Sequence, residues 1–227
     1  YKIKIIEGWD LKETAEYLEK ENFYATKDFL NSVKKDFSGE FSFLKDKPKN
    51  LNLEGYVFPD TYHVYPEDVA EVLVRKALLN FDKKLTTELR ADITKQNKSI
   101  FQIVTMASIL EKEAITLEDK KVISGVLWKR LKVGMPLQVD STVNFITGKS
   151  DSKVSISDTK IDSLYNTYKY AGLPLGPISN PGLDSILAAI YPIDSQYWYY
   201  LAADGTGETI FSKTLEEHQV AIDKYFK

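Results

Sequence analysis

Residues 106–113 read Met106-Ala107-Ser108-Ile109-Leu110-Glu111-Lys112-Glu113, and how they fold decides the centre of this chain. From Phe101 to Ala114 the apolar positions Ile103, Met106, Ile109, Leu110 and Ala114 recur at helical spacing, and Ser99 stands ready as an N-cap. The spacing predicts a helix that buries an apolar face. Glu113 follows Leu110 by three residues, Ile109 by four and Met106 by seven, which puts a carboxylate on that face. A carboxylate buried without a partner is desolvated, and desolvation raises its pKa. An acid that keeps its proton near neutral pH is what general-acid chemistry requires. The other reading is that the helix end is near and Glu113 merely emerges into solvent. The phase of one helix leaves both open.

On the N-terminal side, Tyr1 to Glu7 alternates as a short strand that Gly8 breaks. Asp10 with Glu13 three residues on is a capping-box signature for a helix from Leu11 to Asn22. A second helix is expected from Thr26 to about Lys35, then a polar linker from Lys34 to Asn50 with Gly39 and Pro48. This divides the chain into a small strand-helix-helix unit, 1–48, and a main domain, 49–227. Leu51 to Pro66 is aromatic and turn-rich, and helices are expected over Glu67–Lys84 and Thr86–Gln96. After the central helix come a helix from Leu117 to Val133, stopped by Gly134, and a short extended piece from Pro136. A brief helix from Ser141 to Ile146 and a polar loop from Thr147 to Asp162 follow. Tyr165 to Ser185 holds Gly172, Gly176, Gly182, Pro174, Pro177 and Pro181; its irregularity and length suggest that it binds something. Asp184–Tyr191 reads as a helix. Tyr197–Ala202 and Glu208–Phe211 read as a hairpin about the turn Asp204–Gly207, with a closing helix from Leu215 to Phe226.

The 227 residues carry a net charge of -3, so no basic footprint points to nucleic acid. With no cysteine, disulfides, thiolate metal sites and a cysteine nucleophile are excluded. The two histidines, His63 and His218, share no ligand spacing, which argues against a His-based metal site. No apolar run is long enough to span a bilayer. Without an initiator Met at Tyr1 the sequence reads as a fragment, so a missing anchor says nothing of the intact protein. Aromatics cluster at Tyr56–Tyr65, Tyr165–Tyr170 and Tyr191–Tyr200, surfaces suited to stacking on sugar rings. Tyr197–Tyr200 reads first as strand residues.

Three polar clusters flank irregular backbone. They are Leu53-Glu54-Gly55-Tyr56-Val57-Phe58-Pro59-Asp60-Thr61-Tyr62, then Gly134-Met135-Pro136-Leu137-Gln138-Val139-Asp140-Ser141-Thr142, then Tyr165-Asn166-Thr167-Tyr168 with Gly172-Leu173-Pro174-Leu175-Gly176-Pro177-Ile178-Ser179-Asn180-Pro181-Gly182. Together with the Glu113 helix they resemble the endolytic murein transglycosylase family, also called MltG or YceG-like, which carries four such stretches in this order. The resemblance covers about Leu51 to Lys227, and Ile6-Glu7-Gly8 before a helix is similar to the family's lead-in.

The resemblance implies an α+β fold: a helix-rich lysozyme-like catalytic core with a β-hairpin, and a small N-terminal αβ unit that is LysM-like. It implies that the catalytic acid is a Glu of the E-K-E triplet. The helical phase favours Glu113 over the runner-up Glu111, because Glu113 continues the Ile103-Met106-Leu110 stripe. Gln138, Asp140, Tyr165 and Asn166 match positions expected to line the cleft and bind substrate. Glu54 and Tyr56 are further substrate-binding candidates, Glu54 being also open to a structural role on backbone N–H groups. Ser141 stands where many relatives have Pro, a departure expected to alter loop stiffness more than chemistry. The implied reaction is non-hydrolytic cleavage of the β-1,4 bond between N-acetylmuramic acid and N-acetylglucosamine, with one Glu as acid and then base. A muramidase-type hydrolase and a non-catalytic glycan-binding scaffold are the alternatives. No metal or organic cofactor is implied. The implied partners are peptidoglycan glycan strands and cell-wall synthesis proteins, with no nucleic acid. The implied location is the extracytoplasmic face of the cytoplasmic membrane, with a single-pass tether upstream of Tyr1.

Overall fold

The computed structural model describes residues 1–149, 154–203 and 206–225. Strand β1 (Lys2–Lys4) buries Ile3 and pairs antiparallel with β2 (Thr61–His63), Ile3 lying opposite Tyr62. The sequence reads 51–66 as irregular because a strand of three residues between Pro59 and Pro66 is too short to show alternation. Between the two strands run α1 (Leu11–Lys20) and α2 (Thr26–Ser32). The capping box forms as expected: Asp10 accepts from the Glu13 N–H at 2.7 Å and Glu13 accepts from the Asp10 N–H at 2.9 Å. Both helices stop short of the expected ends. Asn22 turns to a φ of 58°, and the Val33 carbonyl is given to Leu53. The β1–β2 ladder crosses the boundary at 48/49, and one core joins Ile3, Leu18 and Phe29 to Leu73, Ile109 and Ile190.

Helices α3 (Ala70–Lys84), α4 (Thr87–Lys95), α5 (Ile100–Glu113), α6 (Leu117–Lys132), α7 (Asp140–Thr147) and α8 (Leu183–Ile190) build the main body. Ser99 caps α5 in a box with Gln102. Every residue of α5 from Ile103 to Leu110 is buried, so the helix runs through the core and is covered on all sides. Helices α6 and α8 pack on it, and Ala188 and Ala189, both wholly buried, let α8 come close. Strands β3 (Tyr199–Ala202) and β4 (Thr209–Ser212) form the expected hairpin, with Tyr200 opposite Phe211. Helix α9 (Leu215–Tyr225) packs across both strands. The expected turn Asp204–Gly207 lies partly, and Phe226 wholly, outside the described residues. The class is α+β: a helix-rich body with small antiparallel sheets.

The Gly/Pro-rich loop before α8 is filled by the protein's own interior. Ser179 and Asn180 are wholly buried. Asn180 Oδ1 accepts from the N–H groups of Gly55 and Val57, both at 3.1 Å, and its Nδ2 donates to the Trp9 carbonyl at 3.0 Å. Ser108 of α5 accepts from the Ile178 N–H at 3.0 Å, and its carbonyl accepts from Ser179 Oγ at 3.0 Å. The expectation that this length marks a binding loop therefore gives way, for 177–182, to a scaffold role: irregular backbone inside a protein must find partners, and here α5, the Gly55 turn and Trp9 supply them. Gly55 is required at its place. Its φ is +84°, and a Cβ there would lie 2.6 Å from Pro177 Cβ and 2.8 Å from Val104.

Candidate active site

Helix α5 ends at Glu113, where Ala114 turns to extended backbone and Thr116 caps α6. That stop leaves Glu113 on the floor of a cleft of about 820 Å³, whose walls include Gln138, Asp140, Tyr168, Tyr200 and His218. The residue as a whole is half-buried, but its carboxyl is ringed by protein. Oε1 accepts from Ser141 Oγ at 2.7 Å and Oε2 from the Tyr200 hydroxyl at 3.1 Å. Burial dominates and pushes the Glu113 pKa up to about 7. The two hydrogen bonds pull it down, and the Asp140 charge adds to the rise. Asp140 opens α7, and its Oδ1 accepts from the Tyr168 hydroxyl. Gln138 is exposed in the cleft at a φ of 52°, a region that costs about 1 kcal/mol or more for a non-glycine residue; its N–H donates to the Thr167 carbonyl at 3.1 Å. Of the sequence candidates, the cleft thus gathers Glu113, Gln138 and Asp140.

The remaining candidates stand elsewhere. Glu111 points to the other side of α5, where Oε1 pairs with Lys120 Nζ at 3.0 Å and Oε2 accepts from the Gly182 N–H at 2.8 Å. Both side chains of that pair are less than a tenth exposed. Glu54 accepts from the Leu11 N–H at 3.0 Å, so its carboxylate sits on the first residue of α1. Burial pushes its pKa well above the usual carboxylate range, with the Leu11 bond opposing. Tyr56 is wholly buried among Phe43 and Phe81. Tyr165 packs on Phe145 with ring centroids 5.0 Å apart. Asn166 is wholly buried and ties its own loop together, donating to the carbonyls of Thr159 and Ile161 and accepting from the Tyr168 N–H at 3.0 Å. None of these five lines the cleft among the described residues.

Four contributors were missed. Ser141 is expected to alter loop stiffness more than chemistry; its hydroxyl bonds the carboxyl of Glu113, a contact Pro has no group to make. Tyr200 was read as strand, and it is; the alternation of β3 turns its ring toward Glu113, and burial holds its phenol protonated as a donor. Tyr168, next to Asn166 and Thr167, takes the cleft position that the motif suggested for its neighbours. Arg130 is buried at the cleft and donates to the Leu137 carbonyl at 2.6 Å and to the Trp198 carbonyl through Nε at 2.9 Å and Nη2 at 2.6 Å. It joins the 135–139 segment to the foot of the hairpin, so one cation fixes both walls. Hydrophobic phase carries no signal for such contacts. They join residues 28 and 87 positions apart in the Glu113 pairs and 68 apart in the Arg130–Trp198 pair.

The Ser141 bond yields a direct expectation. Removing a donor to a carboxylate favours its protonated form, so Ser141→Ala raises the Glu113 pKa from its value of about 7. If Glu113 serves as the acid, activity falls on the alkaline side where it ionises, and Ser141→Ala moves that limb up by about one pH unit. A profile of rate against pH measures it, and a downward move would contradict the assignment.

The chain is similar throughout to known proteins. A model of the YceG-like family matches residues 1–224. A protein named endolytic murein transglycosylase from Bacillus subtilis (strain 168) is 36% identical over 235 residues, covering 99% of this chain and 65% of the relative. Another of that name, from Streptococcus pneumoniae serotype 2, is 35% identical over 180 residues, covering 77% of this chain and 32% of the relative. The chain therefore spans about two thirds of the first relative's length and one third of the second's. A crystal structure of a YceG-like protein from Listeria monocytogenes superposes with a TM-score of 0.87 at 38% identity, covering 96% of this chain and 75% of that one. A family model spanning nearly the whole chain, with a matching fold at this level of identity, establishes that the chain belongs to the YceG-like family.

Proposed function

We propose that this chain is the catalytic part of an endolytic peptidoglycan lytic transglycosylase. It cleaves the β-1,4 bond between N-acetylmuramic acid and N-acetylglucosamine within glycan strands and leaves 1,6-anhydro-muramyl ends. The observation that carries the reading is a carboxyl at the end of α5, lining the cleft and bonded by Ser141 and Tyr200, whose pKa is held at about 7, so that acid and base forms are both populated at neutral pH. The names of the relatives support the substrate. Glu113 gives its proton to the glycosidic oxygen as the muramyl C1–O bond breaks, and N-acetylglucosamine leaves with a free 4-hydroxyl. The resulting carboxylate takes the proton of the muramyl 6-hydroxyl as O6 closes on C1. One carboxyl serves both steps because the second returns the proton lost in the first. Gln138 and Asp140 are proposed to bind substrate. Asp140 carries negative charge toward the oxocarbenium-like centre, and Gln138 offers a side-chain amide to the N-acetyl group. Asn166, Tyr165, Glu54 and Tyr56 act by holding the scaffold behind them.

A hydrolase is the second reading. It is favoured by Asp140, which lies in the same cleft and acts on Glu113 through its charge, the two-carboxylate arrangement that muramidases use. Mass spectrometry of digested sacculi separates the readings. The lyase yields anhydro-muramyl ends and the hydrolase reducing ends; glycan binding without new ends of either kind would leave a scaffold.

For the fold, the lysozyme-like core is supported by a buried helix that delivers its terminal Glu to a cleft between helices and a hairpin. The LysM-like unit is supported by the order β1-α1-α2-β2 with antiparallel strands. We place the protein on the extracytoplasmic side of the membrane with cell-wall synthesis proteins as partners, because its proposed substrate lies there. No helix among the described residues is long and apolar enough to cross a membrane, so any tether lies outside them.

A further inference from the structure

We propose that His218 is a substrate-binding residue of this cleft, taking a hydroxyl or acetamido N–H of the glycan on a neutral imidazole; the inference rests on the glycan reading above. Leu215, His218 and Ile222 recur at positions that share one face of α9, and all three line the cleft wall beyond the hairpin. The imidazole stacks on Tyr199 with centroids 5.2 Å apart and planes 21° from parallel, and the Arg130 guanidinium lies 5.2 Å from the same ring. His218 Nδ1 is buried and has no hydrogen-bond partner among the described residues. A structural histidine normally satisfies both ring nitrogens, and one left buried and unpaired weighs against the fold. Stacking on Tyr199 does not need the nitrogen, since a phenyl ring would serve as well.

Burial first, and the Arg130 charge second, hold the imidazole below its ordinary pKa, so it stays neutral and keeps one ring nitrogen as an acceptor. In the proposed bound state the ring makes the half-turn that exchanges the Nδ1 and Cδ2 edges, which the broad, two-fold χ2 torsion of histidine allows. A ligand rich in hydroxyl and amide N–H groups completes what the scaffold leaves open. The proposed glycan is such a ligand.

The test is calorimetric binding of a tetrasaccharide of alternating N-acetylglucosamine and N-acetylmuramic acid, prepared from peptidoglycan, to Glu113→Gln protein, with thermal unfolding alongside. On that background His218→Phe is expected to bind about tenfold more weakly, the loss of one neutral hydrogen bond. His218→Asn, which returns an acceptor at the reach of Nδ1, is expected to recover part of the loss. His218→Phe should unfold at the parent temperature or above, because it removes an unpaired buried nitrogen. Equal binding by Phe and His proteins overturns the inference and leaves the glycan reading standing. Weaker binding with a matching fall in unfolding temperature and no recovery by Asn marks a structural residue and overturns it too. No binding by the Glu113→Gln background itself sinks the glycan reading, and the inference with it.

Discussion

Glu113→Gln is expected to lower the rate of glycan cleavage by about 10²–10⁴-fold while making the protein more stable in alkaline solution. Both effects follow from one carboxyl. Glutamine keeps the size, accepts one of the two bonds from Ser141 and Tyr200 on its carbonyl oxygen and turns an N–H donor to the other hydroxyl, but neither gives nor takes a proton. The stability effect has a definite sign. Glu113 binds its proton more tightly folded, at about 7, than an ordinary glutamate near 4.5. Its stabilising contribution is complete below pH 4.5 and is lost as pH rises through about 7. Above that, the ionised side chain opposes folding by about 3 kcal/mol relative to a neutral isostere, at 1.36 kcal/mol per pH unit. Urea unfolding at pH 8 and pH 4 checks it: the variant gains at pH 8 and the gain vanishes at pH 4. A variant equally active, or destabilised at pH 8, would remove Glu113 from its role.

Glu111→Gln gives the opposite pattern and distinguishes the two glutamates of the triplet. Lys120 is buried beside Glu111, and removing its ion-pair partner leaves that charge with only the Coulombic influence of Glu7. The expected cost is about 3–5 kcal/mol, read as a large fall in the urea midpoint. Cleavage by the protein that remains folded at low temperature should stay near the parent rate, because Glu111 is on the far side of α5 from the cleft. A stable but inactive Glu111→Gln would move the acid to that residue. Replacing the pair together, Glu111→Leu with Lys120→Met, should recover part of the lost stability, since the unpaired Lys120 charge is gone while the Gly182 N–H still lacks its Glu111 acceptor.

The reading of α5 from sequence shows what periodicity reaches and what it does not. Its existence and cap follow from Ser99 and the apolar spacing, which runs to Ala114, one residue past the observed end. Its environment does not. The sequence suggests one buried face with Glu113 on it, whereas α5 is buried all round from Ile103 to Leu110. Phase therefore cannot by itself set Glu113 apart from Glu111. What separates them is what each meets: Lys120 and the Gly182 N–H on one side, Ser141, Tyr200 and the cleft on the other.

The same limit explains the other departures. Asn166 looks like a site residue in a sequence because amides at irregular backbone often bind ligands. In the fold its amide, like that of Asn180, bonds loop backbone that has no secondary-structure partners of its own. Tyr200 and Ser141 look ordinary because a strand tyrosine and a helix-start serine carry no local signature. Their part in the site comes from the hairpin and α7 being brought against the end of α5. Strand β2 was hidden because its partner, β1, lies at the far N-terminus.

The central claim is that Glu113 drives cleavage without water. Its most direct test is to digest purified sacculi with this chain in water enriched in oxygen-18 and to weigh the released muropeptides. The account predicts 1,6-anhydro-muramyl ends, lighter by one water than reducing ends and free of the heavy isotope, and their disappearance with Glu113→Gln. Reducing ends carrying oxygen-18 at the muramyl C1 would contradict it and make the protein a hydrolase.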